Sequence, residues 1–167
     1  MAGESPNQAA IAEVVDYVAL RRLQAAYADV VSRRAWPELE PLFVPQCEII
    51  VDRRTLDPLI LTGAAALGAF VGSAIERFEF FEFTILNAVI DTDPVRPSNA
   101  RGRLWMCELR QDRESGQWSN AYGVYHDHYS REDGAWRFAR RRYHSLARTA
   151  PATQVFAFPG AGAWDPA

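Results

Sequence analysis

The 167-residue sequence predicts an α+β domain in which helices cover one face of a curved, mainly antiparallel sheet. Three observations carry that prediction. Apolar residues recur at helical spacing from Ala9 to about Arg34, through Val14, Val18, Leu20, Leu23, Tyr27, Val30 and Val31. Four strand-like runs fill the second half, at Phe80 to Ile90, Arg101 to Arg110, Gln117 to Ser130 and Ala135 to Arg148, with turn residues between them. Asp133-Gly134 marks a tight hairpin joining the last two.

Taken in order, residues 1–8 are small and polar and read as a flexible leader, followed by a domain over 9–149. After the long helix, Pro37 sits in the first turn of a short second helix, W-P-E-L-E-P-L-F, where its missing N–H costs little. Cys47 to Val51 reads as a strand. Thr62 precedes a helix of small residues ending near Arg77, whose side chains suit close packing on a sheet. The stretch 150–167 combines Phe156, Phe158 and Trp164 with prolines, and is expected to dock on a cavity mouth or on a neighbouring subunit.

Composition excludes several functions. Hydrophobic residues make up 49% and charged residues 23%, with a net charge of −3 and a pI near 5.6, so there is no basic field for nucleic acid. All 18 basic residues are Arg, which removes Schiff-base, pyridoxal phosphate and P-loop lysine chemistry. Cys47 and Cys107 are too few for a disulfide framework or a zinc site and read as reduced core thiols. With no signal segment and no apolar run long enough to span a bilayer, a cytoplasmic protein without a membrane partner is expected.

If Asp133-Gly134 is the hairpin loop, an unbroken antiparallel register places Tyr129 opposite Phe138, Asp127 opposite Arg140, Tyr125 opposite Arg142 and Gly123 opposite His144, all on one face. An apolar end beside converging polar groups resembles a pocket wall. His144 is then the candidate general base, with Asp127 and Arg142 shaping its pKa in opposite senses. His126 and His128 form H-D-H on the other face and could chelate a metal only if further ligands arrived. No such ligands are evident, so neither metal nor cofactor is expected. Tyr27 fits the helical core stripe, and Asn87 and Trp105 are candidate cavity or interface residues.

The segments Y-A-D-V-V-S-R-R-A-W-P-E-L-E-P-L-F, F-T-I-L-N up to Asn87, and Y-x-D-x-Y followed by R-E-D-G-A-W-R-F occur in this order. Together they resemble the SnoaL-like branch of the NTF2-like superfamily, the branch of scytalone dehydratase and hexachlorocyclohexane dehydrochlorinase, over about residues 12 to 148. The resemblance implies a cone-shaped α+β barrel around an apolar cavity, with Tyr125 among the pocket residues. It also implies an acid/base pair of a helix Asp and a strand His, suited to elimination beside an acidic C–H. Here those two positions hold Ser32 and Phe83, which leaves them as ligand contacts and the pair absent. Asp29, three residues before Ser32, is a substitute that a solvated helix face would make inert.

The expected function is binding of a small hydrophobic, oxygenated ring compound in an enclosed cavity, with lyase or isomerase chemistry by proton transfer through His144 or Asp127. Tyr27, Ser32, Phe83, Asn87, Trp105, Tyr125 and Arg142 are the expected ligand contacts. The alternatives are a non-catalytic binding or assembly domain and, more weakly, a metal-dependent enzyme. A homodimer or homotrimer is expected, built on the tail and on an outward strand face carrying Val124, Arg141 and Tyr143.

Overall fold

Helix α1 runs from Pro6 to Arg33 in the computed structural model, which describes residues 6–54 and 56–160. Leu20, Leu23, Tyr27, Val30 and Val31 enter the core, whereas Ile11, Val14, Val15, Tyr17 and Val18 stay exposed. Only the second half of the predicted stripe is therefore covered. The helix ends in a paired cap: Ala35 N–H donates to the Val30 carbonyl at 3.0 Å and Arg34 N–H to the Val31 carbonyl at 3.1 Å. Arg34 takes the left-handed conformation this reversal needs, at φ 59°. The chain then enters a 3₁₀ helix, Trp36–Leu42, with Pro37 in its first turn.

Strands β1 (Phe43–Val51) and β2 (Leu59–Thr62) lead into helix α2 (Gly63–Ile75). The long meander follows as β3 (Phe78–Thr92), β4 (Asn99–Asp112), β5 (Trp118–Glu132) and β6 (Ala135–Arg148). These form one sheet of order β2-β1-β6-β5-β4-β3, and the two-residue β7 (Gln154–Val155) also pairs with β6. All pairings are antiparallel except β1 with β6, which is parallel. The fold class matches the prediction, and β2 and the short β7 are the strands that the sequence did not signal. Small residues in α2 do permit close packing, but against Trp36: a Cβ at Gly72 would lie 3.2 Å from the indole nitrogen.

Asp133 and Gly134 form the β5–β6 turn with φ 51° and 77°, the two left-handed residues of a type I′ loop. Tyr129 faces Phe138 as predicted. Beyond that pair the register departs from the prediction, because β6 carries an extra residue, Ala139, between the partners of Tyr129 and His128. A one-residue bulge turns every later side chain to the other face. Asp127 therefore pairs with Arg141, Tyr125 with Tyr143 and Gly123 with Ser145. A second extra residue, Leu146, restores the original phase, so that Arg148 faces Ala121. The expectation that Arg140, Arg142 and His144 share a face with Tyr125 and Asp127 is corrected here, as is the outward placement of Arg141 and Tyr143.

The tail beyond β6 folds back on the sheet. Phe156 N–H donates to the Leu146 carbonyl at 2.8 Å, and the Arg54 guanidinium lies over the Phe156 ring at 4.7 Å. Trp164 lies outside the described residues. Cys47 and Cys107 are free, and burial pushes the Cys47 thiol up to about 12, which removes it as a nucleophile at neutral pH. No described helix is long and apolar enough to cross a membrane.

Candidate functional site

The inner face of the sheet is divided into a sealed end and a hollow end. At the sealed end, Asp127 and Arg141 form a bidentate ion pair with Nε–Oδ1 2.8 Å and Nη2–Oδ2 3.1 Å, both side chains having 0% exposure. The Tyr129 hydroxyl donates to Asp127 Oδ2 at 3.1 Å, and Gln24 Nε2 donates to that hydroxyl at 2.8 Å. The Arg141 guanidinium carbon lies 4.0, 4.1 and 4.2 Å from the ring centroids of Tyr27, Tyr125 and Phe138. Burial alone would favour the neutral guanidine, but the Asp127 carboxylate and the Tyr27 and Tyr125 phenols together outweigh it and hold Arg141 charged.

Ser32 and Phe83 meet at this same end. Ser32 Oγ accepts the Phe83 backbone N–H at 2.9 Å, and Phe83 packs its ring edge-on to Tyr27 at 5.4 Å. β3 is an edge strand, so the Phe83 N–H points away from β4 and needs a partner from α1. The two positions that the family resemblance pairs are thus neighbours, but they are joined by a structural hydrogen bond and filled by a phenyl ring. Asp29 is engaged in the exposed pair with Arg33, Nη2–Oδ2 2.8 Å, on the solvent side of α1.

At the hollow end, a cavity of about 500 Å³ lies between α2, β1 and the far ends of β4, β5 and β6. Leu67, Phe70, Val71, Ile49 and Val51 form its apolar wall, and Ala150 and Pro151 of the tail border it. Its polar wall comes from alternate residues of β4, Glu108, Arg110 and Asp112, with Ser119, Tyr125, Tyr143 and Arg148. Glu108 and Arg110 form an ion pair with 16% and 20% side-chain exposure. The Arg110 Nε is buried with no hydrogen-bond partner among the described residues. Burial lowers the Arg110 pKa. The same burial raises that of Tyr143, against the pull of Ser145, Arg148 and Arg110, so the phenol stays protonated at neutral pH.

Gly123 makes room for that phenol. A Cβ there would lie 2.2 Å from the Tyr143 ring, so the tyrosine is laid flat across a bare stretch of β5 and reaches the cavity. The Tyr125 ring lies tilted against it, with centroids 5.0 Å apart.

Of the residues singled out from sequence, Tyr125 alone lines this cavity. Tyr27, Ser32, Phe83 and Asp127 belong to the sealed end. Asn87 and Trp105 pair across β3 and β4, and the same row continues from Trp105 to Val124 and from Val124 to His144 on the outer face of the sheet. Arg142 and His144 are also outer-face residues, displaced there by the Ala139 bulge. His144 stands 5.1 Å from the His126 ring, with Asp52 Oδ2 3.8 Å from its Nδ1. Burial first, then the charge of His144, holds His126 down to about 3, and burial likewise lowers His144. Among the described residues, no three His, Cys, Asp or Glu side chains are grouped to hold a metal ion. The sequence reading missed Glu108, Arg110, Tyr143 and Arg148.

Comparison with known proteins agrees with this architecture. A scytalone dehydratase-like protein from Novosphingobium aromaticivorans superposes with a TM-score of 0.74 at 22% identity, over 87% of this chain and 94% of its own. A type 2 hexachlorocyclohexane dehydrochlorinase, LinA, gives 0.73 at 18% identity, over 90% and 98%. The LinA-type3 enzyme of Novosphingobium barchaimii gives 0.72 at 19% identity, over 89% and 99%. No curated protein matches the chain. The model of the SnoaL-like domain matches residues 12–142, and with an NTF2-like fold around it the chain belongs to the SnoaL-like family.

Proposed function

We propose that this protein binds a hydrophobic, oxygenated ring compound in the cavity under α2 and acts on it as a lyase or isomerase by proton transfer. The observation that carries the reading is the pairing of an apolar wall with the Glu108 carboxylate and the Tyr143 phenol on one cavity surface. Glu108 is the proton acceptor, held in place by Arg110. Tyr143, protonated at neutral pH, is the donor to a leaving or enolising oxygen. Asp127 has both carboxylate oxygens occupied and His144 lies across the sheet, so neither is assigned this work.

Turnover with a panel of ring ketones and β-hydroxy ketones tests the reading. Glu108→Gln and Tyr143→Phe should each reduce turnover by about 10²- to 10⁴-fold while ligand binding survives. Equal turnover in wild type and both variants would remove the assignment. A non-catalytic binding role is the second reading, favoured by the Phe83 ring standing where the family resemblance places a histidine. Ligand retained in native mass spectrometry with no turnover on the panel would select it. We further propose a homodimer or homotrimer, supported by the exposed Ile11, Val14, Val15 and Val18 on α1. Sedimentation at micromolar concentration should show the oligomer, and a monomer would refute it.

A further inference from the structure

We infer that the cavity ligand carries a carboxylate, bound by the Arg148 guanidinium beside the buried Nε of Arg110, with its apolar body against α2. This rests on the cavity being the ligand site and adds the charge of what enters it. Each acidic residue on the cavity wall already has an arginine of its own. Asp52 pairs with Arg54 at 3.0 Å, Asp112 with Arg77 at 2.5 Å, and Glu108 with Arg110. Arg148 also lines the cavity, yet it contacts only the Ser145 hydroxyl, at 3.3 Å from its Nε, and no described carboxylate lies within 4 Å of it.

Arg53, which also borders the cavity, donates its Nε to the Asp57 carbonyl at 2.7 Å, so Arg148 is the cavity cation that awaits an acid. A guanidinium facing a partly apolar hollow is stabilised by an anion that brings planar oxygen acceptors, which is carboxylate geometry. Position supports the same ligand. Glu108, Ala121 and Arg148 lie in one row across β4, β5 and β6, so Arg148 stands two strands from the acid and its charge is not cancelled there. The Arg110 Nε offers a second donor that the protein leaves without a partner. Tyr143 lies beside both arginines, whose charges lower its pKa against burial, so a bound carboxylate would also meet a phenolic donor. A neutral oxygen acceptor would leave the Arg148 charge uncompensated, whereas a carboxylate pairs with it in a stronger, charge-assisted hydrogen bond.

Calorimetric titration at low ionic strength with 1-naphthylacetate and its neutral counterpart 1-naphthylacetamide tests the inference. Wild type should prefer the carboxylate by at least about tenfold, the value of a hydrogen bond to a charged group. Arg148→Gln should erase the preference while amide affinity is retained, which also shows that the variant is folded. Arg148→Lys should keep part of it. Arg140→Gln, which removes the same charge on the outer face beside Glu48, should keep all of it. Equal affinity of wild type for acid and amide, or a preference that survives Arg148→Gln, overturns the inference and leaves the cavity as a ligand site. Binding of neither probe to wild type counts against the cavity reading itself.

Discussion

The two ends of the inner sheet face hold similar residue types and use them in opposite ways. At the sealed end, the Asp127–Arg141 pair is wrapped by Tyr27, Tyr125, Tyr129 and Phe138 and has no exposure. At the hollow end, Glu108, Arg110, Tyr143 and Arg148 face empty volume, and Arg148 has no carboxylate partner among the described residues. The difference separates charge that organises a core from charge that lines a hollow, where we propose a ligand binds. It also shows that the position of a polar residue on the family framework does not fix its use. Ser32 and Phe83 occupy the pair's places and serve packing, while tyrosine and glutamate collect at the other end.

Charge removal gives the widest separation between the ends. Asp127→Asn leaves Arg141 buried beside a neutral partner and should destabilise the fold by about 3–5 kcal/mol in urea unfolding. Arg148→Gln should move the same midpoint by less than about 0.5 kcal/mol. Similar losses for both would erase the distinction. Gly123→Ala comes next, because its methyl must displace the Tyr143 ring, at a cost of about 1–3 kcal/mol with a loss of ligand affinity. Unchanged unfolding and binding would mean that the ring is not held where the structure has it.

The smallest effect is a pH slope from the outer face. His126 and His144 have folded pKa values below the ordinary histidine value of about 6.5, flanked by Arg103, Arg142, Arg54 and Asp52. The unfolded chain therefore takes up protons that the folded chain declines. Their contribution is fully present above about pH 6.5 and is lost as pH falls from there toward 3. Thermal melts should show a Tm lower at pH 5 than at pH 7, a window in which carboxylates add little. The double variant His126→Gln/His144→Gln should flatten that slope, and an undiminished slope would place its origin elsewhere.

The architecture was legible because its signals are local. The 3.6-residue stripe through Leu20, Leu23 and Tyr27, the four long runs and the Asp133-Gly134 turn each act on their own segment. The inner face of β5 was legible too, since Tyr125, Asp127 and Tyr129 alternate with polar neighbours. On β6 the phase was lost at Ala139. Three successive arginines, 140 to 142, offer no alternation by which to recover it, and only burial shows that Arg141 is the inward one. Glu108 and Arg110 did leave a trace: they continue the parity of the buried Leu104 and Met106 along β4. Charge on the inner side of a strand was the sign of a hollow, and it went unread.

The two bulges make the segment from Arg140 to Ser145 an insert with two possible linings. In its present phase it offers Arg141, Tyr143 and Ser145 to the interior; one step out of phase it would offer Arg140, Arg142 and His144. Because each bulge is a single surplus residue, removing Ala139 alone should leave Arg141 facing Asp127 on a straighter strand, whereas inserting one residue after a bulge that stays in place should exchange the whole set. The lining of this sheet is therefore open to length variation as well as to substitution, with an imidazole brought into the interior by one codon gained behind a retained bulge rather than by any residue replaced.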